Sequence, residues 1–183
     1  MPDRLVALRP FADDGDAAAV VRASVRRAGH RLVLRYVLAG PAARAVLPPA
    51  AEPMRRDELW RHTCFEAFLA PHGGEPYWEL NVSPSGDWNV YRFDGYRAGM
   101  RPEPRAAAPA VKRHRARCGT LTVEAAFDMG GMAELAHGAL DVALAAVLEA
   151  AEGTLSYWSV VHPADGPDFH RRDGFVVRLG AAA

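Results

Sequence analysis

The chain has 183 residues, 50% of them hydrophobic and 24% charged, enough for one globular domain over residues 1–183 with a core of its own. Its formal net charge is +0, so no global field recruits nucleic acid or an anionic membrane. The two cysteines, Cys64 and Cys118, are too few for a disulfide framework and fit no metal-ligand spacing, and no run approaches the roughly 20 apolar residues of a membrane span.

The first residues, MPDRLVALRPFADDGD, carry acids where a signal peptide needs an apolar core. The expectation is a soluble, cytoplasmic protein of bacterial type. Lys112 is the single lysine, so arginine supplies nearly all the positive charge and favours planar, bidentate partners.

HRLVLRYVLAG (residues 30–40) alternates, with Leu32, Leu34, Tyr36 and Leu38 on one face and Arg31 and Arg35 on the other. That is a half-buried strand, and AVVRASVRRAG before it is its partner through Ala28-Gly29. GPAARAVLPPAAEPMRRDE reads as a loop, and CFEAFLAP as a strand ended by Pro71. YWELNVSPSGDWNVYRF (residues 77–93) reads as a hairpin. A second loop, YRAGMRPEPRAAAP, follows it. VKRHRARCG and TLTVEAAFD form a second hairpin through Gly119-Thr120. In MAELAHGALDVALAAVLEAAEG local propensity favours helix, with Gly153 as its cap. The surrounding short strands and turns favour a strand near residues 141–148, and with TLSYWSVV and GFVVRL as closing strands the pattern indicates an all-β sandwich.

The first hairpin carries the functional reading. Whether the turn is Ser85-Gly86 or the four residues 84–87, Ser83 falls opposite Trp88, and Glu79 opposite Arg92. Opposed residues share a side. Trp78, Leu80, Val82, Tyr91 and Phe93 then face the core, while Tyr77, Glu79, Asn81, Ser83, Trp88 and Arg92 face away. If Phe65, Ala67 and Leu69 face the core, Glu66 joins Glu79, Asn81 and Arg92. Two carboxylates, an amide and a guanidinium beside aromatic rings suit a polyhydroxylated ligand, whose hydroxyls take the charged groups and whose C–H faces take the rings. The plainer reading is a solvated face with Glu79 and Arg92 as a cross-strand pair, and Trp60 and Trp88 as packing residues.

SVVHPADGPDFHRRDGF holds His162, Asp165, Asp168, His170 and Asp173. It reads as a metal loop, as a structural loop with Asp168 paired to an arginine, or as a loop at the rim of a ligand site. No metal site is assigned. The alternating Arg113, Arg115 and Arg117 lack interleaved aromatics, so nucleic-acid binding is not expected. Glu66 and Glu79 as a glycosidase pair would need a defined separation and a cleft. No nucleophile elbow, phosphate loop or zincin motif is present, so no catalytic residue and no cofactor is assigned.

LWRHTCFEAFLAP, YWELNVSPSGDWNVYRFDGYR and LSYWSVVHPADGPDFHRRDGF, in this order, resemble the DOMON-like proteins, relatives of the family 9 carbohydrate-binding modules. The resemblance implies an immunoglobulin-like antiparallel β-sandwich with a ligand cleft on one sheet. It implies a non-catalytic module for a saccharide or similar small molecule, sandwiched between two tryptophans. Trp60, before Glu66, matches one of these; Trp158 is a candidate for the other, and Arg92 a counterpart of the family's arginine. The expected ligand-binding set is therefore Trp60, Glu66, Glu79, Asn81, Trp88, Arg92 and Trp158. Other relatives bind haem through methionine and histidine, which makes a haem or redox module the alternative, with Met54, Met100, Met129, Met132, His62 and His162 as the available residues. A polar face that meets another protein is a further reading.

Overall fold

A computed structural model describes residues 5–12, 18–49 and 52–182. Among these residues twelve strands form one antiparallel, curled sheet. In chain order they are β1 (Val6–Pro10), β2 (Val20–Ala28), β3 (Arg31–Ala39), β4 (Cys64–Pro71), β5 (Tyr77–Val82), β6 (Trp88–Phe93), β7 (Arg101–Pro102), β8 (Ala110–Arg115), β9 (Leu121–Asp128), β10 (Leu140–Glu149), β11 (Leu155–Ser159) and β12 (Val177–Leu179). The strand order is β7-β6-β5-β4-β10-β11-β1-β2-β3-β9-β8, with β12 on β10. One four-residue helix, Ala133–Ala136, and three 3-10 turns complete the secondary structure of the described residues.

The alternating segments fold as their patterns predict. β2 pairs with β3, Ala28 opposite Arg31, around Gly29 at φ +59°. β8 pairs with β9, Arg115 opposite Leu121. Leu32, Leu34, Tyr36 and Leu38 are buried from β3, and Leu121, Val123, Ala125 and Phe127 from β9. The curl of the sheet brings this arm over β4, β5 and β10. There the rings of Tyr36 and Phe65 stack with centroids 4.8 Å apart, and the Tyr36 hydroxyl donates to the Glu66 carbonyl at 2.6 Å.

That bond ties one arm of the sheet to the strand of the other arm that carries Glu66. Tyr36→Phe keeps the stack and removes the tie, and urea unfolding should show a loss of about 1 kcal/mol.

Residues 140–149 are a strand, as the surrounding pattern indicates and against local propensity. β10 bonds β4 along one edge; its other edge bonds β12 in its first half and β11 in its second. Cross-strand hydrogen bonds on both edges outweigh the few tenths of a kcal/mol per residue by which alanine and leucine favour helix. The alanines have a packing reason. Leu140, Val142, Leu144, Ala146 and Leu148 face the main core, whereas Ala143 and Ala145 lie in the second aromatic cluster with Phe68, Tyr77, Phe93 and Phe175, where their small size leaves room for the rings.

The first hairpin differs from its predicted register by one residue. The Ser83 N–H donates to the Asp87 carbonyl at 2.8 Å and the Gly86 N–H to Ser83 at 3.0 Å, which closes a three-residue loop with Gly86 at φ +104°. A three-residue loop with a glycine at positive φ is a common hairpin solution. Asn81 therefore opposes Asn89, Glu79 opposes Tyr91, Trp78 opposes Arg92 and Val82 opposes Trp88. The faces of β5 are as expected. Every side chain of β6 is on the opposite face, because a one-residue slip inverts the whole strand. Tyr91 and Phe93 leave the predicted core set; Trp88 and Arg92 take the core side.

Candidate functional site

On the outer face of β4, β5, β6 and β10 lies a cavity of about 290 Å³, at the small end of small-molecule sites. Its floor follows from strand parity. Cys64, Glu66 and Phe68 alternate with the core-facing Phe65, Ala67 and Leu69 of β4. Glu66 stands opposite Asn81 and Phe68 opposite Glu79, so the two carboxylates are diagonal neighbours on one face. This is not a solvated face: Glu66 is 3% exposed, Glu79 4% and Asn81 0%.

The polar groups of the floor are partly satisfied. Asn81 Nδ2 donates to Glu79 Oε1 at 2.7 Å. Glu66 Oε1 is buried with no hydrogen-bond partner. Burial pushes the Glu66 carboxyl well above the usual range, and the neighbouring Glu79 charge pushes it further. Burial also raises Glu79, to about 7, against the opposing effects of Asn81 and the Arg97 charge.

The walls come from three loops. Trp60, in the 3-10 turn Leu59–Arg61, lines the cavity and meets Tyr91 edge-on with centroids 5.8 Å apart. After β6, the Ala98 N–H donates to Gly95 and the Asp94 N–H to Ala98, a tight turn that holds Arg97 at φ +50°. A non-glycine residue there stores strain, as residues at working sites often do. The Arg97 N–H donates to the Tyr77 hydroxyl at 3.2 Å, and the Arg97 side chain lines the cavity. The loop after β11 adds Pro167, Phe169 and His170.

Asp168 anchors that loop. It accepts from Arg97 at 2.9 Å, from the Tyr96 hydroxyl and from the His170 N–H at 3.1 Å. These bonds hold its carboxyl below the usual range although burial acts the other way. His170 Nδ1 lies 2.9 Å from the Tyr77 hydroxyl, and its Nε2 lies 3.9 Å from Glu79 Oε2. Burial, helped by the Arg97 charge, lowers His170 to about 4, so it is neutral near pH 7. Its loop is both the structural loop, with Asp168 paired to an arginine, and the rim of the cavity. His162 bonds the Arg9 carbonyl, and Asp173 pairs with Arg171. Among the described residues no group of histidine, cysteine and acidic side chains is arranged to hold a metal.

Of the expected set, the structure brings together Trp60, Glu66, Glu79 and Asn81. It separates Trp88, Arg92 and Trp158 from them. Trp88 faces the core beneath Arg55, whose guanidinium lies 5.2 Å from its ring. Arg92 lies on the opposite face of the sheet from Glu79, 5.0 Å over the Trp78 ring, and pairs with Glu134 at 3.0 Å. Glu79 and Arg92 therefore form no cross-strand pair. Trp158 joins the main core and donates to Ser156 Oγ at 2.9 Å; its neighbour Tyr157 lines the cavity instead. Arg97, Tyr157, Phe169 and His170 were absent from the expected set. The sequence signals for them were slight: a glycine-flanked turn after a strand, and the side of one closing strand.

The candidates for haem ligation are dispersed. Met129 and Met132 are in the core, Met54 is exposed, and His62 pairs with Glu149. Met100 alone of them lines the cavity.

Fold and site together define an all-β protein with a small, aromatic-walled and acidic cavity on the outer face of its sheet. No protein-family model matches the chain. No curated protein matches it. Among solved structures, a protein from Bacteroides uniformis, provisionally described as carbohydrate-binding, superposes with a TM-score of 0.64 at 14% identity, over 95% of this chain and 84% of that one. A family 9 carbohydrate-binding module from Caldicellulosiruptor kristjanssonii gives 0.49 in complex with cellotriose, at 12% identity over 86% of this chain and 72% of that one. In complex with glucose it gives 0.45, again at 12% identity, over 84% and 73%. The first of these shows a shared fold; the other two are too distant to bear on the site.

Proposed function

We propose that this protein is a non-catalytic module that binds a saccharide or similar polyhydroxylated small molecule in the cavity above β4 and β5. The observation that carries this reading is the floor itself: two buried carboxylates, one of whose oxygens has no partner, backed by the Asn81 amide bonded to Glu79 and ringed by Trp60, Phe93, Tyr157 and Phe169. Carboxylates and amides accept from and donate to ring hydroxyls, and aromatic faces take the C–H surfaces. The volume suits about one sugar ring. The fold shared with the Bacteroides protein and the sequence resemblance to DOMON-like proteins agree with this reading, and we assign the chain to that group with an immunoglobulin-like sandwich.

Thermal unfolding and calorimetry against a panel of mono- and disaccharides test it. A sugar at roughly 100 times its Kd should stabilise the protein by about 3 kcal/mol, and Trp60→Ala with Glu79→Ala should abolish the effect. A panel with no binding and no stabilisation overturns the reading.

One observation favours the haem alternative: Met100 and His170 line the same cavity. Against it, two buried carboxylates on the floor suit a polyol better than a flat apolar macrocycle. A featureless absorbance titration with haem removes this alternative.

A further inference from the structure

The acidic and basic groups around the cavity do not balance. Among the described residues Arg97 is the one permanent cation lining it, and its guanidinium is already held by Asp168 at 2.9 Å. Glu79 has, among the described residues, only His170 within ion-pair range, at 3.9 Å, and that imidazole is neutral near pH 7. Glu66 has no ion-pair partner among the described residues, and its Oε1 has no hydrogen bond.

The titratable groups around the pair are Tyr36 on β3, Cys64 on β4, Tyr77 on β5, Tyr157 on β11, Arg97, Asp168 and His170. β10 contributes only apolar surface here, through Val147. Burial raises Cys64 and Tyr77, so both are neutral near pH 7. The site is left with two acids that no cation among the described residues matches, under a canopy of aromatic rings. A neutral sugar supplies hydroxyl donors but no charge. An ammonium group supplies three donors and a positive charge that favours the ionised carboxylates, and the ring faces attract it as well.

We propose that the ligand carries a primary ammonium group, and that this cavity selects an amino sugar over its neutral counterpart by seating the ammonium between Glu66 and Glu79. The proposal rests on the saccharide reading above and deepens it. Binding shifts both carboxyls toward their ionised forms, so protons leave to solvent as the ammonium enters.

Calorimetry with D-glucosamine, D-glucose and N-acetyl-D-glucosamine near pH 7 tests it, with the same ring in each probe. Glucosamine should bind at least about tenfold more tightly than either neutral sugar. The heat should vary with the buffer's ionisation enthalpy, reporting proton release. Acidification to about pH 5, or Glu66→Gln, should shrink the preference to roughly threefold or less. Neutral sugars that bind as tightly as glucosamine overturn the ammonium inference and leave the saccharide reading in place. Binding of n-butylammonium with none of the three sugars sinks the saccharide reading and sustains the ammonium seat. No binding of any of the four probes sinks both.

Discussion

Trp78→Ala should be the most damaging single substitution in the described structure, with a loss of about 3–5 kcal/mol in urea unfolding. Trp78 is fully buried on the core face of β5. Its indole N–H donates to Glu103 Oε2 at 3.0 Å, and Arg92 lies over its ring. Glu103 is itself buried and is held by Arg105 at 2.8 Å. Burial works against that carboxylate, but the bonds from Arg105 and Trp78 bring it down to about 2. Truncation thus opens a core cavity, removes one of the donors that hold a buried charge and strips Arg92 of its ring. Trp78→Phe separates these effects, since it keeps most of the apolar volume and loses the N–H. About half the loss should remain. If Trp78→Ala cost under about 1 kcal/mol, the core placement of β5 would be wrong.

Glu66→Gln should do the reverse and stabilise the protein at neutral and alkaline pH. In the unfolded chain Glu66 and Glu79 ionise near 4.5; folding raises Glu79 to about 7 and Glu66 also well above its usual range. Below about pH 4.5 both states are protonated and the fold keeps this contribution in full. As pH rises from about 4.5 through about 7 the unfolded chain releases protons that the folded one retains, so stability falls. Glu66→Gln removes one of these titrations and leaves a neutral amide that can donate to Glu79. The variant should match the parent near pH 4.5 and exceed it by about 2 kcal/mol near pH 8. Glu79→Gln should yield less, because the Asn81 amide, which donates to Glu79 Oε1, then meets a neutral oxygen and its hydrogen bond loses its charge assistance. Glu103 acts in the opposite sense: its contribution is present above about 4.5 and is lost as pH falls toward about 2. The parent should therefore be most stable in mild acid, and a chemical-denaturation series across pH reads the shift. Equal slopes for parent and Glu66→Gln between about pH 5 and 8 would contradict the buried pair.

The unpaired acid links these results to the proposed ligand. A carboxylate that weakens the fold at neutral pH, yet lies on the floor of a cavity, fits the trade of stability for function described for working sites. A bound cation would recover that lost stability.

How far composition and alternation reach into this molecule depends on the strand. Where one face meets water, as in β3 and β9, period-2 hydrophobicity states both the strand and its inward side, and both hold. The same arithmetic places Glu79 and Asn81 together, because β5 alternates there between large apolar and polar side chains, and Glu66 joins them once Phe65, Ala67 and Leu69 of β4 face the core. It fails for β6, where Trp88, Val90 and Arg92 alternate with Asn89, Tyr91 and Phe93 and either set could be buried. There a single residue in the Pro84-Ser85-Gly86 loop decides, and backbone hydrogen bonds at Ser83 and Gly86 make that choice. β10 is undecidable locally, since its alanines and leucines suit a helix until β4, β11 and β12 supply their edges. The walls of the cavity lie further still from local pattern. Arg97, His170 and Phe169 meet Glu79 and Phe68 only because two loops remote in sequence close over one sheet face. Such contacts are governed by the distance between loops in space, which no periodicity along the chain encodes.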